Sequence, residues 1–180
     1  LMRAEMSSLR GLNEQMSREL GDLERRQKDL AQTVNERLSR FDPVKVNVDG
    51  VEFQADPAEK REFEAALSVF RKGDFASAQS LFVAFIGRYA GSQYVTPALF
   101  WLGNAQYATR DYKEAIINFR ALIARNPEHV RAPESVLSVA NCQLELKDPK
   151  GARKTLTDLI KAYPETEAAV AAKERLLVLK

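Results

Sequence analysis

The sequence predicts an all-α protein: an N-terminal coiled coil, then an α-α superhelix of three helix hairpins with a period of 37, closed by a C-terminal capping helix. Three observations carry this. Asp74, Asp111 and Asp148 stand at one fixed interval of 37 residues. Around each Asp the same side-chain classes return in phase. A small residue lies ahead (Ala66, Gly103, Ala140), and an aromatic or proline follows directly (Phe75, Tyr112, Pro149). Then come a small residue (Ala78, Ala115, Ala152), large apolar ones (Phe82, Phe119, Leu156; Phe85, Leu122, Leu159) and an isoleucine (Ile86, Ile123, Ile160). Third, an unbroken heptad precedes the repeats, from Met2 to Phe41. Tandem units of this size are too small to bury their own apolar faces, so they must stack.

The heptad comes first in the chain. Its a positions are Met6, Asn13, Leu20, Gln27, Val34 and Phe41; its d positions are Met2, Leu9, Met16, Leu23, Leu30 and Arg37. Nine of these twelve are apolar, a seam sustained long enough to read as a coiled coil. A helix of about 60 Å that is polar outside one narrow stripe needs partner helices. The expected oligomerisation residues are Met6, Leu9, Asn13, Met16, Leu20, Leu23, Gln27, Leu30 and Val34. Asn13 and Gln27 trade stability for register and strand number. Leu12 and Leu38 widen the apolar face beyond a dimer seam. Glu5 and Arg10 attract across a parallel interface, whereas Glu19 and Glu24 repel. Gly11 and Gly21 each cost about 1 kcal/mol of helix propensity. Two and three strands both stay open on the residues alone, with three mildly favoured.

Residues 42–56 change character, which sets expected domain limits at 1–41, 42–56 and 57–180. Val44, Val46 and Val48 alternate, Asp49-Gly50 is a two-residue turn signal, and Val51 and Phe53 follow. An isolated hairpin is marginal in water, so this linker either packs on a neighbour as a short hairpin or stays a flexible extended tether, and the tether is the expectation here. Phe53 is the candidate to dock on the first repeat.

Within each repeat, Gly73-Asp74, Arg110-Asp111 and Lys147-Asp148 punctuate the middle. Gly73 suits the left-handed residue that ends a helix. Each Asp is expected to cap the next helix, Asp111 with Glu114 in capping-box spacing. Pro149 falls at the first helical position, where its missing N–H costs nothing. The small pairs Ala66/Ala78, Gly103/Ala115 and Ala140/Ala152 let paired helices approach closely. The segment Glu165–Leu179 reads as the capping helix, with Val170, Leu176 and Leu177 closing the last repeat.

The stretch ALFWLGNAQYATRDYKEAIINFRALIARNP (Ala98–Pro127) resembles a tetratricopeptide repeat. Leu102-Gly103, Tyr112, Ala115, Phe119 and Pro127 match the signature positions. Ala65-Ala66, Phe75, Ala78 and Phe82 match in the first unit, where Ala90 replaces the closing proline. Ala140, Ala152, Leu156 and Pro164 match in the third, where Pro149 holds the aromatic slot. The usual period is 34, so these units are lengthened, at GSQYVT and EHVRA. Coiled coil, linker and three such repeats together resemble the CpoB (formerly YbgF) family of Tol-Pal-associated cell division coordinators. That resemblance implies a non-enzymatic periplasmic adaptor that forms a homotrimer through the coil. It further implies TolA and penicillin-binding protein 1B as partners, and a removed signal peptide. The implied role is to coordinate outer-membrane constriction with septal peptidoglycan synthesis. The alternative is an outer-membrane assembly lipoprotein of the BamD type, which also uses lengthened repeats. A periplasmic enzyme with an appended repeat domain is a third.

In stacked hairpins the first helix of each unit lines the concave face. Recurring there are Phe63, Phe100 and Leu137; Leu67, Asn104 and Asn141; Phe70, Tyr107 and Leu144. These nine are the expected protein-binding groove. The resemblance implies that Asn104 and Asn141 hold the backbone of an extended peptide, since an amide both donates and accepts. Against this stands a plainer reading, in which the capping helix or linker covers the apolar members. Arg71 and Arg110 could meet acidic partner residues, though solvated charges are the commoner case.

Composition narrows the rest. The chain carries 27 basic and 25 acidic residues for a net charge of +2, with no basic patch of the kind nucleic acid requires. No apolar run is long enough for a membrane span. Cys142, the single cysteine, reads as a small buried hydrophobe. His129 is the one histidine and lies out of repeat phase with Cys142, so no Cys–His nucleophile is expected. No metal-ligand cluster or phosphate-cradling glycine loop stands out, and neither cofactor nor metal is expected. The first residue is Leu1 with no signal core after it, which reads as a processed chain.

Overall fold

The computed structural model describes residues 2–179. The chain divides into two compact units, Leu1–Asp42 and Pro43–Lys180, each taken by itself here.

The first unit is one helix, α1 (Met2–Leu38), ending in a 3₁₀ turn at Ser39–Phe41. Its heptad stripe lies bare: Leu9 is 65% exposed, Leu23 59% and Leu30 65%. On the polar side, the Gln15 amide donates to Glu19 and that of Gln32 to Glu36, both at 2.9 Å across one turn. A Cβ at Gly11 or Gly21 would meet nothing within 4 Å, so no packing inside a single chain calls for glycine there.

The second unit begins with a β-hairpin, so the expected tether is corrected. β1 (Val44–Val48) pairs antiparallel with β2 (Val51–Ala55) in the register Val48 to Val51, Val46 to Phe53, Val44 to Ala55. Asp49 (φ 52°) and Gly50 (φ 82°) are both left-handed, as a two-residue turn of type I′ demands. The hairpin is not isolated. Val46, Phe53 and Ala55 are buried in one core with Phe63, Ala66, Phe82, Phe85 and Tyr94, and the Phe53 ring meets Tyr94 edge-on at 5.0 Å. Burying Phe53 and Val46 there contributes about 1.5–3 kcal/mol each, which an isolated hairpin would lack.

Six helices then form three hairpins: α2 (Pro57–Arg71) with α3 (Phe75–Arg88), α4 (Val95–Ala108) with α5 (Tyr112–Arg125), and α6 (Ala132–Glu145) with α7 (Pro149–Ala162). Each packs chiefly on its neighbours in sequence, which is the contact pattern of a solenoid. The periodic aspartates sit at the N-caps of α3, α5 and α7. Asp74 accepts from the Ser77 N–H at 3.1 Å and Asp148 from the Gly151 N–H at 2.9 Å. Asp111 makes no such side-chain bond, so the expected capping box with Glu114 does not form. Its backbone N–H instead donates to the Gln106 carbonyl at 2.8 Å. The residue before each Asp is left-handed: Gly73 (φ 83°), Arg110 (φ 67°) and Lys147 (φ 62°). Only the first unit places glycine there, so the other two hold a conformation that costs an L-residue energy.

Close helix approach rests on the small residues. A Cβ at Gly103 would fall 2.7 Å from the Phe119 ring, so glycine is what lets α4 settle on α5. Three cores follow one another, around Phe82 and Phe85, around Phe119 and Leu122, and around Leu156 and Leu159, all essentially free of solvent. The capping helix α8 (Glu167–Val178) starts where the Thr166 hydroxyl accepts from the Ala169 N–H at 3.3 Å. Its inner face is Ala169, Ala172 and Leu176, spaced three and four apart. Val170 and Leu177, expected to help close the repeat, stay 55% and 83% exposed on the other faces.

Candidate protein-binding groove

The first helices of the hairpins, α2, α4 and α6, carry the nine expected groove residues, and the structure treats them differently. Phe63 and Phe100 are core residues, only 3% and 2% exposed. The Phe63 ring packs against Phe82, Phe85 and Tyr94 at 6.1, 5.9 and 4.6 Å. Phe100 packs against Phe119 at 6.2 Å, with the Arg131 guanidinium 4.9 Å from its centroid. Neither can seat a partner, because each fills the space between its own hairpin and the next. Large aromatics at helix–helix contacts gain more from that burial than any groove would offer.

Leu67 and Phe70 are half-buried. Phe70 stands edge-on between Phe75 and Trp101, at 5.2 and 5.1 Å. In the middle unit, Asn104 and Tyr107 keep part of their surface in solvent. The Asn104 amide nitrogen donates to the Phe100 carbonyl one turn back at 2.8 Å, which leaves its oxygen as a free acceptor among the described hydrogen bonds. Tyr107 meets Tyr112 edge-on at 5.4 Å, and burial holds its phenol above the ordinary tyrosine value.

The last unit is covered in part by α8. The Asn141 side-chain oxygen accepts from Arg175 of that helix. Leu144 packs in the third core and borders a small apolar hollow with Arg175, Val178 and Leu179. Leu137 lies in a shallow cleft between α6 and α8 with Val130 and Ala171. The nine positions therefore do not form one continuous furrow. Three units present three surfaces: hairpin-covered, open, and helix-covered.

The hairpin builds a feature that the sequence reading missed. A cleft of about 630 Å³ runs between β1 and α2, floored by Tyr94 and Trp101 and ended by Arg131. Arg131 donates to Asp49 at the hairpin turn at 3.0 Å and to Glu134 at 3.1 Å, while its guanidinium lies over Phe100 and Trp101. Asp49 is only 10% exposed, and its second carboxylate oxygen is buried without a partner. This clamp fixes the hairpin tip to the start of α6, 82 residues away in sequence. The Asp-Gly turn itself was legible, but nothing local pairs Asp49 with a cation 82 residues on.

Groups with chemical potential are quiet. Cys142 is fully buried, and burial pushes its thiol up to about 12, so it is protonated and inert at neutral pH. His129 is 8% exposed; burial holds its imidazole below the ordinary value, and Nδ1 accepts from the Arg131 backbone N–H at 3.2 Å. Among the described residues there is no cluster of three His, Cys, Asp or Glu placed to hold a metal, and no helix long and apolar enough to cross a membrane.

Residues 55–180, the whole repeat unit from the end of β2, match the family model YfiO, outer membrane lipoprotein. The chain belongs to the YfiO family. Residues 1–47 match a second family model, TolA binding protein trimerisation. The chain is also similar to the cell division coordinator CpoB of Pseudomonas putida, 25% identical over 138 residues. That match covers 57% of this chain and 52% of the relative, so the chain spans about half the length of the curated relatives it matches. The two family matches and this relative together make the chain CpoB-like, as its parts in order had implied. Among solved structures, PcrH of Pseudomonas aeruginosa superposes with a TM-score of 0.59 at 16% identity, covering 69% of this chain and 93% of that one. The Arabidopsis OM64 TPR domain gives 0.57 at 12% identity, covering 67% and 95%. At these identities the likeness is one of fold: a YfiO-family solenoid of tetratricopeptide type.

Proposed function

We propose that this protein is a non-enzymatic periplasmic adaptor that trimerises through residues 1–41 and captures partner proteins on the concave face of residues 57–180. The observation that carries the reading is the bare apolar stripe of α1, lying within the segment that matches TolA binding protein trimerisation. A soluble helix keeps such a stripe only where other helices cover it. Three copies suit Leu12 and Leu38, which widen the seam and are both 57% exposed in one chain.

TolA and penicillin-binding protein 1B are the proposed partners, and coordination of outer-membrane constriction with septal wall synthesis is the proposed role. Three recognition units on one rod gain avidity from being linked, with no new contact required. Leu67, Phe70, Asn104 and Tyr107 are the proposed contact residues, because they combine apolar surface with an unfilled amide acceptor. Leu137, Asn141 and Leu144 join them only where a partner shares the surface with α8. A second reading, an outer-membrane lipoprotein role, is favoured by the YfiO match over residues 55–180. The match of residues 1–47 favours the adaptor.

The test is capture of purified TolA and penicillin-binding protein 1B periplasmic fragments by wild type and by Asn104→Ala with Tyr107→Ala. Loss of an interface tyrosine and its neighbour is expected to cost at least about 1.4 kcal/mol, a tenfold loss of affinity, for one fragment or both. The thermal midpoint should stay close to wild type. Unchanged affinity for both fragments would overturn the groove assignment.

A further inference from the structure

We infer that the open edge of β1 is a docking site for an extended, acidic segment of a partner protein, which adds to the hairpin as a third strand. This rests on the adaptor reading above and gives it a recognition mode.

The argument begins with hydrogen-bond parity. In a two-residue hairpin the residues flanking the turn exchange both backbone bonds, and every second pair after them does the same. The flanking pair here is Val48 with Val51, so Val46 and Val44 also bond to β2. The N–H and C=O groups of Lys45 and Asn47 therefore point away from β2. None of these four groups has a hydrogen-bond partner among the described residues. Four consecutive β1 residues, Lys45 to Val48, and the turn residue Asp49 line the 630 Å³ cleft, and no β2 residue does. Side chains of a strand alternate between faces, so an unbroken run along one wall means that the wall is the strand's edge. An exposed edge of this kind is a ready template for another chain.

The opposite wall fits the same occupant. Lys60, Glu64, Leu67 and Arg71 of α2 fall four, three and four apart, one stripe along the cleft. That stripe spans roughly 17 Å at the helical rise, and the five residues of β1 span roughly 14 Å at the strand rise, a comparable length. Leu67 and the floor residue Trp101 offer apolar surface to alternate side chains of an added strand.

Charge decides what kind of strand. Four cations line the cleft, Lys45, Lys60, Arg71 and Arg131, against two carboxylates, Asp49 and Glu64. Asp49 is already taken by Arg131, Lys45 pairs in solvent with Glu52 of β2 at 2.6 Å, and the Lys60–Glu64 pair is loose at 3.9 Å. Arg71 has no ion pair among the described residues. An acidic segment finds Arg71 unpaired, Lys60 loosely held and Lys45 in an exposed pair that a second carboxylate can share. A second copy of this hairpin is the poorer occupant, because edge-to-edge pairing would set Lys45 and Lys60 of one chain against those of another. The other edge, on β2, presents Glu52 and Gln54 and faces away from this cleft.

The experiment uses the full chain and a synthetic eight-residue peptide of alternating Glu and Val, with a Lys-Val peptide as the charge control. Binding is read by fluorescence anisotropy, and backbone protection by hydrogen exchange. The acidic peptide should slow exchange at residues 45–47 and bind at least tenfold tighter than the Lys-Val peptide. Asn47→Pro removes one outward N–H while leaving every β1–β2 bond, and should weaken binding at least tenfold. Gln54→Pro makes the same change on the β2 edge without touching the Lys45–Glu52 ion pair, and should stay within twofold of wild type. Lys60→Glu with Arg71→Glu, which leaves the hairpin untouched, should also lose at least tenfold and keeps the test independent of how Asn47→Pro folds. Protection elsewhere, unchanged binding in both the Asn47 and the α2 variants, or association of copies through β1 would overturn the inference. If these variants still capture the TolA or penicillin-binding protein 1B fragment as wild type does, strand addition falls while the adaptor reading stands. If wild type captures neither fragment, it is the adaptor reading that falls.

Discussion

α1 and α3 both carry an apolar stripe along one side of a helix. In α3, Ala78, Phe82 and Phe85 are at most 1% exposed, because α2, α4 and the hairpin close over them. In α1, Leu9, Met16, Leu20 and Leu23 are all more than half exposed. The difference is not in the residues, since both stripes are made of apolar side chains that gain by leaving water. It lies in where the covering surface comes from. The repeat unit finds it within itself, by copying a hairpin; α1 by itself has none, and in the proposed assembly other copies of α1 supply it.

The largest effect expected from this contrast is at the seam. Leu20→Asn with Leu23→Asn removes two leucines per chain that the proposed seam would bury, about 2 kcal/mol each in every copy. Association at micromolar concentration should vanish, read by sedimentation, while the melting transition of the repeat unit holds. The mirror experiment strikes α5. Phe119→Ala should destabilise the repeat unit by about 3–5 kcal/mol in denaturant unfolding, with the oligomer mass unchanged. A seam variant that melted the repeats, or a core variant that dissociated the assembly, would erase the distinction.

Smaller effects sharpen it within the repeats. Arg110→Gly and Lys147→Gly relieve left-handed residues where the first unit already has Gly73, and should each stabilise by roughly 0.5–1 kcal/mol. The smallest effect concerns pH. His129 is held neutral by burial, with its proton affinity lowered in the folded state. The unfolded chain takes up that proton first, so the contribution is complete above about pH 6.5 and is lost as pH falls below it. Comparing midpoints at pH 7.5 and 5.5, His129→Gln should show the smaller drop.

The fold was legible because repetition leaves a mark that single helices do not. The aspartates at 37-residue spacing stand at helix N-caps, and Gly103 meets Phe119 as a small residue facing a large one should. The binding face was less legible, for a physical reason. Helical periodicity reports which residues lie on one side of a helix but not how wide the covered sector is. Phe63 and Phe100 therefore read as groove residues and are core. The hairpin was visible as a turn signal, yet its order depends on Tyr94 and Arg131, which lie tens of residues away and have no local signature. Arg175 meeting Asn141 is a long-range contact of the same kind.

The most direct measurement is molar mass by light scattering, across micromolar concentrations, for the full chain and for residues 43–180. Three copies of the former and one of the latter are what the proposed trimer predicts. A monomeric full chain, or a repeat fragment that trimerises without α1, would contradict the account.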